Sequence, residues 1–164
     1  MTKKTELALK ELASRLANTQ DSARSTQAAK RHAKGFNTAR ENVSKLCSGN
    51  FFREYGQLAV AAQRQRRDYE ELQTETAADG VITGICPINN KHITLGAKLS
   101  SHDTIVIVND YSVLAGTQGY FHHLKLDRMI AVALKKQLPI IMLTEGGGGR
   151  PGDTDISTIN SGLQ

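Results

Sequence analysis

Four consecutive glycines, residues 146–149, follow the apolar run "LPIIMLT" (138–144) and precede Arg150-Pro151-Gly152-Asp153. Glycine loses more backbone freedom on folding than any other residue, so a plain turn gains nothing from four of them. Without Cβ atoms, successive backbone N–H groups can approach a ligand oxygen, either of a phosphate or of an oxyanion developing on a carbonyl. A phosphate-binding P-loop requires GxxxxGK[ST], and no Lys-Ser or Lys-Thr follows these glycines. The GxGxxG spacing of dinucleotide sites is missing as well. An oxyanion hole is the chemistry the residues favour, with a plain flexible loop as the alternative. A second glycine-bearing turn, "NDYSVLAGTQG" (109–119), carries Gly116 and Thr117 and can line the same crevice. His122 and His123 are adjacent, which denies them the i,i+4 spacing of a metal pair, and His122 reads as a hydrogen-bonded structural residue. Asp153 and Asp155, near Thr154 and Ser157, read as caps of a following helix rather than an acid/base pair.

The elements that must position these residues come in three stretches. Residues 5–47 are helical, with Leu9, Leu12 and Leu16 at three- and four-residue spacing and Gly35 ending a first helix. Thr38 with Glu41 three residues on predicts a capping box for a short second helix carrying Val43 and Leu46. Residues 57–77 are polar and helix-tolerant with little to bury, a linker or a loop ordered by a partner. From Gly80 the pattern turns to β structure: "GVITGICPI" (80–88), "KHITLGA" (91–97) and "TIVIVND" (104–110), the first two joined at Asn89-Asn90. "GYFHHLKLDRMIAVALKKQ" (119–137) predicts a helix, and "LPIIMLT" a strand buried on both faces. Strand, strand, helix and strand with a glycine-rich exit make an α/β unit, preceded by N-terminal helices. The chain therefore divides into a basic helical segment (1–56), a polar linker or loop (57–77) and an α/β unit (78–164).

Composition bounds the function classes. The 164 residues carry a net charge of +5, and residues 1–75 hold 14 of the 21 Lys/Arg but 9 of the 16 Asp/Glu. Acidic residues interrupt every basic run and no aromatic platform accompanies them, which argues against nucleic acid. A solvated face, or a patch towards an acidic partner or a phosphate-bearing ligand, fits better. Trp is absent, so the core must be aliphatic. Cys47 and Cys86 form no CxxC pair and are expected as buried free thiols. With no secretory h-region and no bilayer-length apolar run, a cytoplasmic protein is expected, neither membrane-bound nor metal-binding.

Three stretches in order bear a family resemblance. "AKRHAKGFNTARENVSKLCSGNFFREYG" (29–56), "ADGVITGICPINNK" (78–91) and "VNDYSVLAGTQGYFHHLKLDRMIAVALKKQLPIIMLTEGGGGR" (108–150) resemble the carboxyltransferase subunits of biotin-dependent acyl-CoA carboxylases. "TEGGGGRPGDTD" is most similar to the branch with single-chain and long-chain enzymes. The resemblance implies a partial crotonase-like (ββα superhelix) fold. It also implies carboxyl transfer from carboxybiotin to the α-carbon of an acyl-CoA, through an enolate held by backbone donors. Aligning Arg150 puts Gly147 and Gly148 on the family's Gly-Gly pair and Gly149 beside them, so the donors are expected from these three. Gly116 and Thr117 are expected to shape the acyl-CoA loop, and Lys125 to reach a CoA phosphate. Arg150 is expected to hold the glycine loop through its carbonyls, or to pair with Asp153 or Asp155.

The implied cofactor is biotin on a partner carrier domain. The implied partners are biotin carboxylase, the biotin carrier and the remaining carboxyltransferase half, in an oligomer. Two features depart from the pattern: the extra segment "HITLGAKLSSHD" (92–103), and a match that stops just after the glycine loop. An N-terminal portion, inactive alone, is therefore expected. The alternatives are a non-catalytic remnant or assembly module that binds CoA or a carboxylase subunit, and a different crotonase-type thioester enzyme.

Overall fold

The computed structural model describes residues 2–47, 52–88 and 103–156. Three helices open the chain: α1 (Lys3–Asn18), α2 (Ser25–His32) and α3 (Ala39–Leu46). A short strand, β1 (Arg53–Tyr55), and a short helix, α4 (Tyr69–Glu75), lead to the α/β unit. That unit consists of β2 (Val81–Pro87), β3 (Asp103–Asn109), α5 (Tyr120–Lys136) and β4 (Ile140–Leu143).

The capping box forms as the sequence predicts. Thr38 Oγ1 accepts from Glu41 N at 3.0 Å, and the Glu41 carboxylate accepts from Thr38 N at 2.8 Å. Gly35, at φ +77°, ends α2. The helix expected to run up to Gly35 is broken between α1 and α2, where Thr19 Oγ1 donates to Leu16 O and Arg40 Nε to Thr19 O. Hydroxyl and carboxylate side chains compete locally for backbone groups, and the run from Thr19 to Ser22 is dense in them. The leucine stripe of α1 is not buried: Leu7, Leu9 and Leu12 are exposed.

The sheet has order β1-β2-β3-β4, antiparallel up to β3 and then parallel, with α5 as the crossover. Every residue of β2 and β3 is buried, because each sheet face carries a helix. Ile82, Cys86, Val106 and Val108 meet Ala39, Val43 and Cys47 of α3 and its C-cap. Val81, Ile85, Ile105 and Ile107 meet Leu126, Met129 and Ala133 of α5. Alternation along the strands supplies both sets, as a period of two requires.

Three expectations are corrected. Strand β4 lies at the edge of the described sheet, with Ile140, Met142 and Leu143 exposed rather than buried on both faces. Residues 57–77 have much to bury: Val60, Ala61 and Leu72 form a cluster of their own, with Leu114 packed on it. Cys47 and Cys86 are not free thiols but a disulfide, Cα atoms 5.7 Å apart, because α3 docks its C-terminal end on β2. Strand β1 and helix α4 had no sequence signal strong enough to predict them; β1 is held by register with β2, Arg53 opposite Ile85. The strand expected at 91–97, the Asn89-Asn90 turn, the 92–103 segment as far as Asp103, and the helix expected around Ser157 lie outside the described residues. No helix among the described residues is long and apolar enough to cross a membrane.

The bridge closes a separation of 39 residues. Reduction, or Cys47→Ser, should therefore lower the unfolding free energy by about 2–4 kcal/mol in urea titrations. The unreduced chain should show no thiol reactive to an alkylating reagent after denaturation.

Candidate functional site

The two glycine loops touch backbone to backbone. A Cβ on Gly116 would lie 2.4 Å from Glu145 O, and one on Gly146 would lie 2.2 Å from Gly116 O. Only bare backbone fits on either side of that contact. The loops are also strapped: Gln118 N donates to Gly148 O and Arg150 N to Gln118 O, both at 2.8 Å. Gly147, Gly148 and Gly149 beside these straps are exposed, and among the described residues their N–H groups make no hydrogen bond. Gly148 has φ +90°, and a Cβ on Gly148 or Gly149 would meet open space. Gly147 faces Thr117 Cγ2 and Ala115 O. The predicted candidates Gly116, Thr117 and Gly147 to Gly149 are thus brought together.

Arg150 sits beneath them, 5% exposed, and does not face the crevice. Its Nη1 donates to Asp79 Oδ1, its Nη2 to Thr117 O and its Nε to Thr117 Oγ1 at 3.2 Å. The guanidinium thus holds the Thr117 loop rather than the carbonyls of its own glycines, and it pairs with Asp153 at 3.6 Å. Asp153 does cap a helix, but the helix is α5, where its Oδ2 accepts from Tyr120 N at 2.8 Å. Asp79 Oδ2 accepts from His122 N at 2.8 Å, so two distant carboxylates cap one helix N-terminus. The N-cap itself is Gly119, which has no side chain to do this; a Cβ there would lie 2.3 Å from Asp153 Oδ2 and 2.4 Å from Arg150 Nη1. Asp155 instead accepts from Arg64 N and Gln65 N, tying down the 64–65 turn.

Lys125 is corrected as a phosphate ligand. It is 8% exposed, and its Nζ donates to Ala78 O at 2.8 Å and to Val81 O. Burial pulls its ammonium down to about 8. These carbonyls flank an unusual turn, Ala78, Asp79 and Gly80 at φ +53°, +49° and +73°. A matching turn, Leu114, Ala115 and Gly116 at φ +48°, +56° and +66°, leads into the first glycine loop. Gly80 packs on Val113, and Asp110 N donates to Gly80 O at 2.8 Å, so the two left-handed turns support each other. Non-glycine residues in this region cost about 1–3 kcal/mol each and persist only where the surroundings over-determine them. Burial pushes the Asp79 carboxyl up, against the pull of Arg150. It pulls His122 down to about 3, so that ring is neutral, with Nδ1 near Asp79 O at 3.3 Å.

Sequence reasoning missed Arg24, Arg31 and Glu145. Arg31 makes a two-pronged salt bridge to Glu145, 2.7 and 2.8 Å, and lies near the rings of Phe36 and Tyr111. Glu145 immediately precedes the glycines, so α2 anchors the loop. Arg24 Nη1 holds Asp110 at 2.8 Å and thereby the other loop. Lone arginines in a basic helical stretch carry no local signal of such distant partners. Among the described residues no cluster of three or more His, Cys, Asp or Glu side chains could hold a metal.

Gly119→Ala and Gly146→Ala should each destabilise by about 1–3 kcal/mol through overpacking, with Gly149→Ala within about 0.5 kcal/mol of wild type, by chemical denaturation. His122 has its folded pKa depressed, so its contribution is complete above about pH 6.5 and is lost as pH falls towards 3. The wild-type minus His122→Leu difference in stability should therefore decline over that window, by at most about 1.4 kcal/mol per pH unit.

Comparison with known proteins supplies relatives. The chain is 28% identical over 121 residues to the alpha subunit of methylmalonyl-CoA decarboxylase from Veillonella parvula, 74% of this chain and 21% of that one. It is 27% identical over 119 residues to the propionyl-CoA carboxylase beta chain of Roseobacter denitrificans, 73% and 21% respectively. Among solved structures, a single-chain, multi-domain long-chain acyl-CoA carboxylase superposes with a TM-score of 0.83 at 42% identity, over 94% of this chain and 15% of that one. The transcarboxylase 12S core superposes with a TM-score of 0.71 at 23% identity, over 93% and 28%, a likeness of fold alone. No protein-family model matches the chain. The chain spans 21% of the length of these two curated relatives. Its fold is a partial crotonase-like α/β unit with helices before it. In sequence and fold together, the chain is a homologue of the carboxyltransferase subunits of biotin-dependent acyl-CoA carboxylases.

Proposed function

We propose that this chain forms the acyl-CoA side of a carboxyltransferase site, with backbone N–H groups of Gly147, Gly148 and Gly149 aimed at the thioester oxygen. The observation that carries the reading is the exposure of these N–H groups without hydrogen-bond partners among the described residues, on a loop pinned at both ends. Removing the proton beside a thioester leaves negative charge on one oxygen, and fixed donors stabilise that charge without reorganising. Losing one such donor typically costs on the order of 100–1,000-fold in rate. Arg150 and Thr117 position the loop from below, and Glu145 with Arg31 from the side. Carboxybiotin, on a partner's carrier domain, supplies the carboxyl group. The remaining carboxyltransferase half and biotin carboxylase complete the proposed assembly, an oligomer.

A cleft of about 540 Å³ opens beside the loop, lined by Lys30, Arg31, Lys34, Phe36, Tyr111 and Glu145 among others. Lys30 and Lys34 are exposed and have no ion-pair partner among the described residues. They take over the role of phosphate contacts that the sequence assigned to Lys125. The exposed aromatic rings suit a nucleotide base.

Calorimetric titration of the full chain with acetyl-, propionyl- and a long-chain acyl-CoA should give saturable binding, and Gly148→Val should weaken it at least about tenfold. Absence of binding by a folded chain would rule out a working acyl-CoA site here and favour an assembly role. Lys30→Glu with Lys34→Glu should weaken acyl-CoA about tenfold through the CoA moiety and leave thermal stability unchanged.

A further inference from the structure

Away from the glycine loops, one side of α5 is left without a partner in the described chain. Phe121, Leu124, Arg128, Ala131 and Lys135 recur at three- and four-residue steps, so they share a helix face beside the core stripe of Leu126, Met129 and Ala133. Arg53 and Tyr55 of strand β1 stand across from it. Two hollows lie between them and share Tyr55 and Arg128. The first, about 220 Å³, is apolar, lined by Ala59, Phe121, Leu124 and Met129. The second, about 450 Å³, has Ile85 and Val132 in its lining and Arg53, Lys135 and Lys136 around them. Together they form one groove, apolar towards the start of α5 and cationic towards its end, within the size range of small-ligand sites.

The charge at the second hollow is not balanced locally. Arg128, Lys135 and Lys136 are exposed and have no ion-pair or hydrogen-bond partner among the described residues. Arg53 contacts Asp103 at 3.2 Å but keeps a side chain 53% exposed. Lys135 and Lys136 also complement the C-terminal end of the helix dipole, but Arg128, two turns back, is too far for that role. At the other hollow, Leu124 and Tyr55 are 45% and 38% exposed and flank Met129, which is fully buried. Exposed apolar side chains leading into an uncompensated cationic mouth are complementary to a molecule built the opposite way round.

We propose that this groove binds an amphiphilic anion, an alkyl or acyl chain ending in a carboxylate or a phosphate. The chain lies over Leu124, Phe121 and Tyr55, and the head sits among Arg128, Lys135 and Lys136. A fatty-acid carboxylate and an alkyl phosphate share that chemistry. The site is separate from the glycine loops, and the proposal goes beyond the acyl-CoA reading. Probes without CoA keep the two apart.

The test is calorimetric titration of the full chain with laurate, dodecyl phosphate and lauryl alcohol, each below its aggregation threshold. Both anions should bind saturably in one-to-one proportion, and the neutral alcohol about tenfold more weakly. Whichever anion binds more tightly identifies the head group. Lys135→Glu with Lys136→Glu should weaken both anions about tenfold and leave the alcohol unchanged. Leu124→Asp should weaken all three about tenfold. All these positions are exposed, and thermal melts check that the variants fold. No saturable binding by the folded chain overturns the proposal, as does equal affinity for alcohol and anions, or affinity indifferent to both variants. A change in elution volume on gel filtration caused by the lysine reversals, without a change in anion binding, also overturns it and makes this face a protein interface.

Discussion

Arg150 is the centre on which the site depends. One buried guanidinium reaches Asp79 before β2, the Thr117 loop after β3 and Asp153 beyond the glycines. A buried charge left unpaired costs several kcal/mol, so these segments have to arrive together. Both carboxylates also accept from backbone N–H groups at the N-terminus of α5, which lacks a capping side chain of its own, and Asp153 Oδ1 accepts from Gln63 Nε2 as well. The helix, the two loops and the turn before the sheet therefore share one electrostatic knot. Its net contribution to stability is small by the usual comparison of buried ion pairs with apolar packing. Its consequence is geometric, because it sets where the exposed glycines stand.

The strained backbone follows from the same knot. Ala78 and Asp79 hold left-handed conformations that glycine would adopt more cheaply. Asp79 must nevertheless be an aspartate, because its carboxylate is needed at Arg150 and at His122 N. Lys125 supports the turn from inside by donating to the carbonyls on either side of it. A cation expected at the surface for a ligand is instead consumed in holding the scaffold, and Lys30 and Lys34 are left to face solvent beside the cleft.

Much of the frame was legible because it rests on local rules. Runs of β-favouring residues marked β2 and β3, the three- and four-residue apolar spacing marked α5, and Thr38 with Glu41 announced its capping box. The crowded glycines pointed to their own loop. The failures were non-local. Arg31 finds Glu145 across 114 residues and Arg24 finds Asp110 across 86, and no window on the chain contains either pair. Strand β4 looked buried because its residues are apolar, yet it is the edge of the described sheet, and apolar composition does not tell a central strand from an edge one.

By itself, then, the sequence determined α3, β2, β3 and α5, and it singled out the glycine run at residues 146–149 as a place for bare backbone. Propensity, capping and periodicity act over a few residues and can be read there. Only the tertiary structure decided that Cys47 and Cys86 are joined, that Lys125 and Arg150 turn inwards, and that Asp153 caps α5. Those outcomes depend on which distant groups the packed sheet brings within hydrogen-bonding range. Burial then selects among them, because an ion or polar group removed from water must find a partner where it lies.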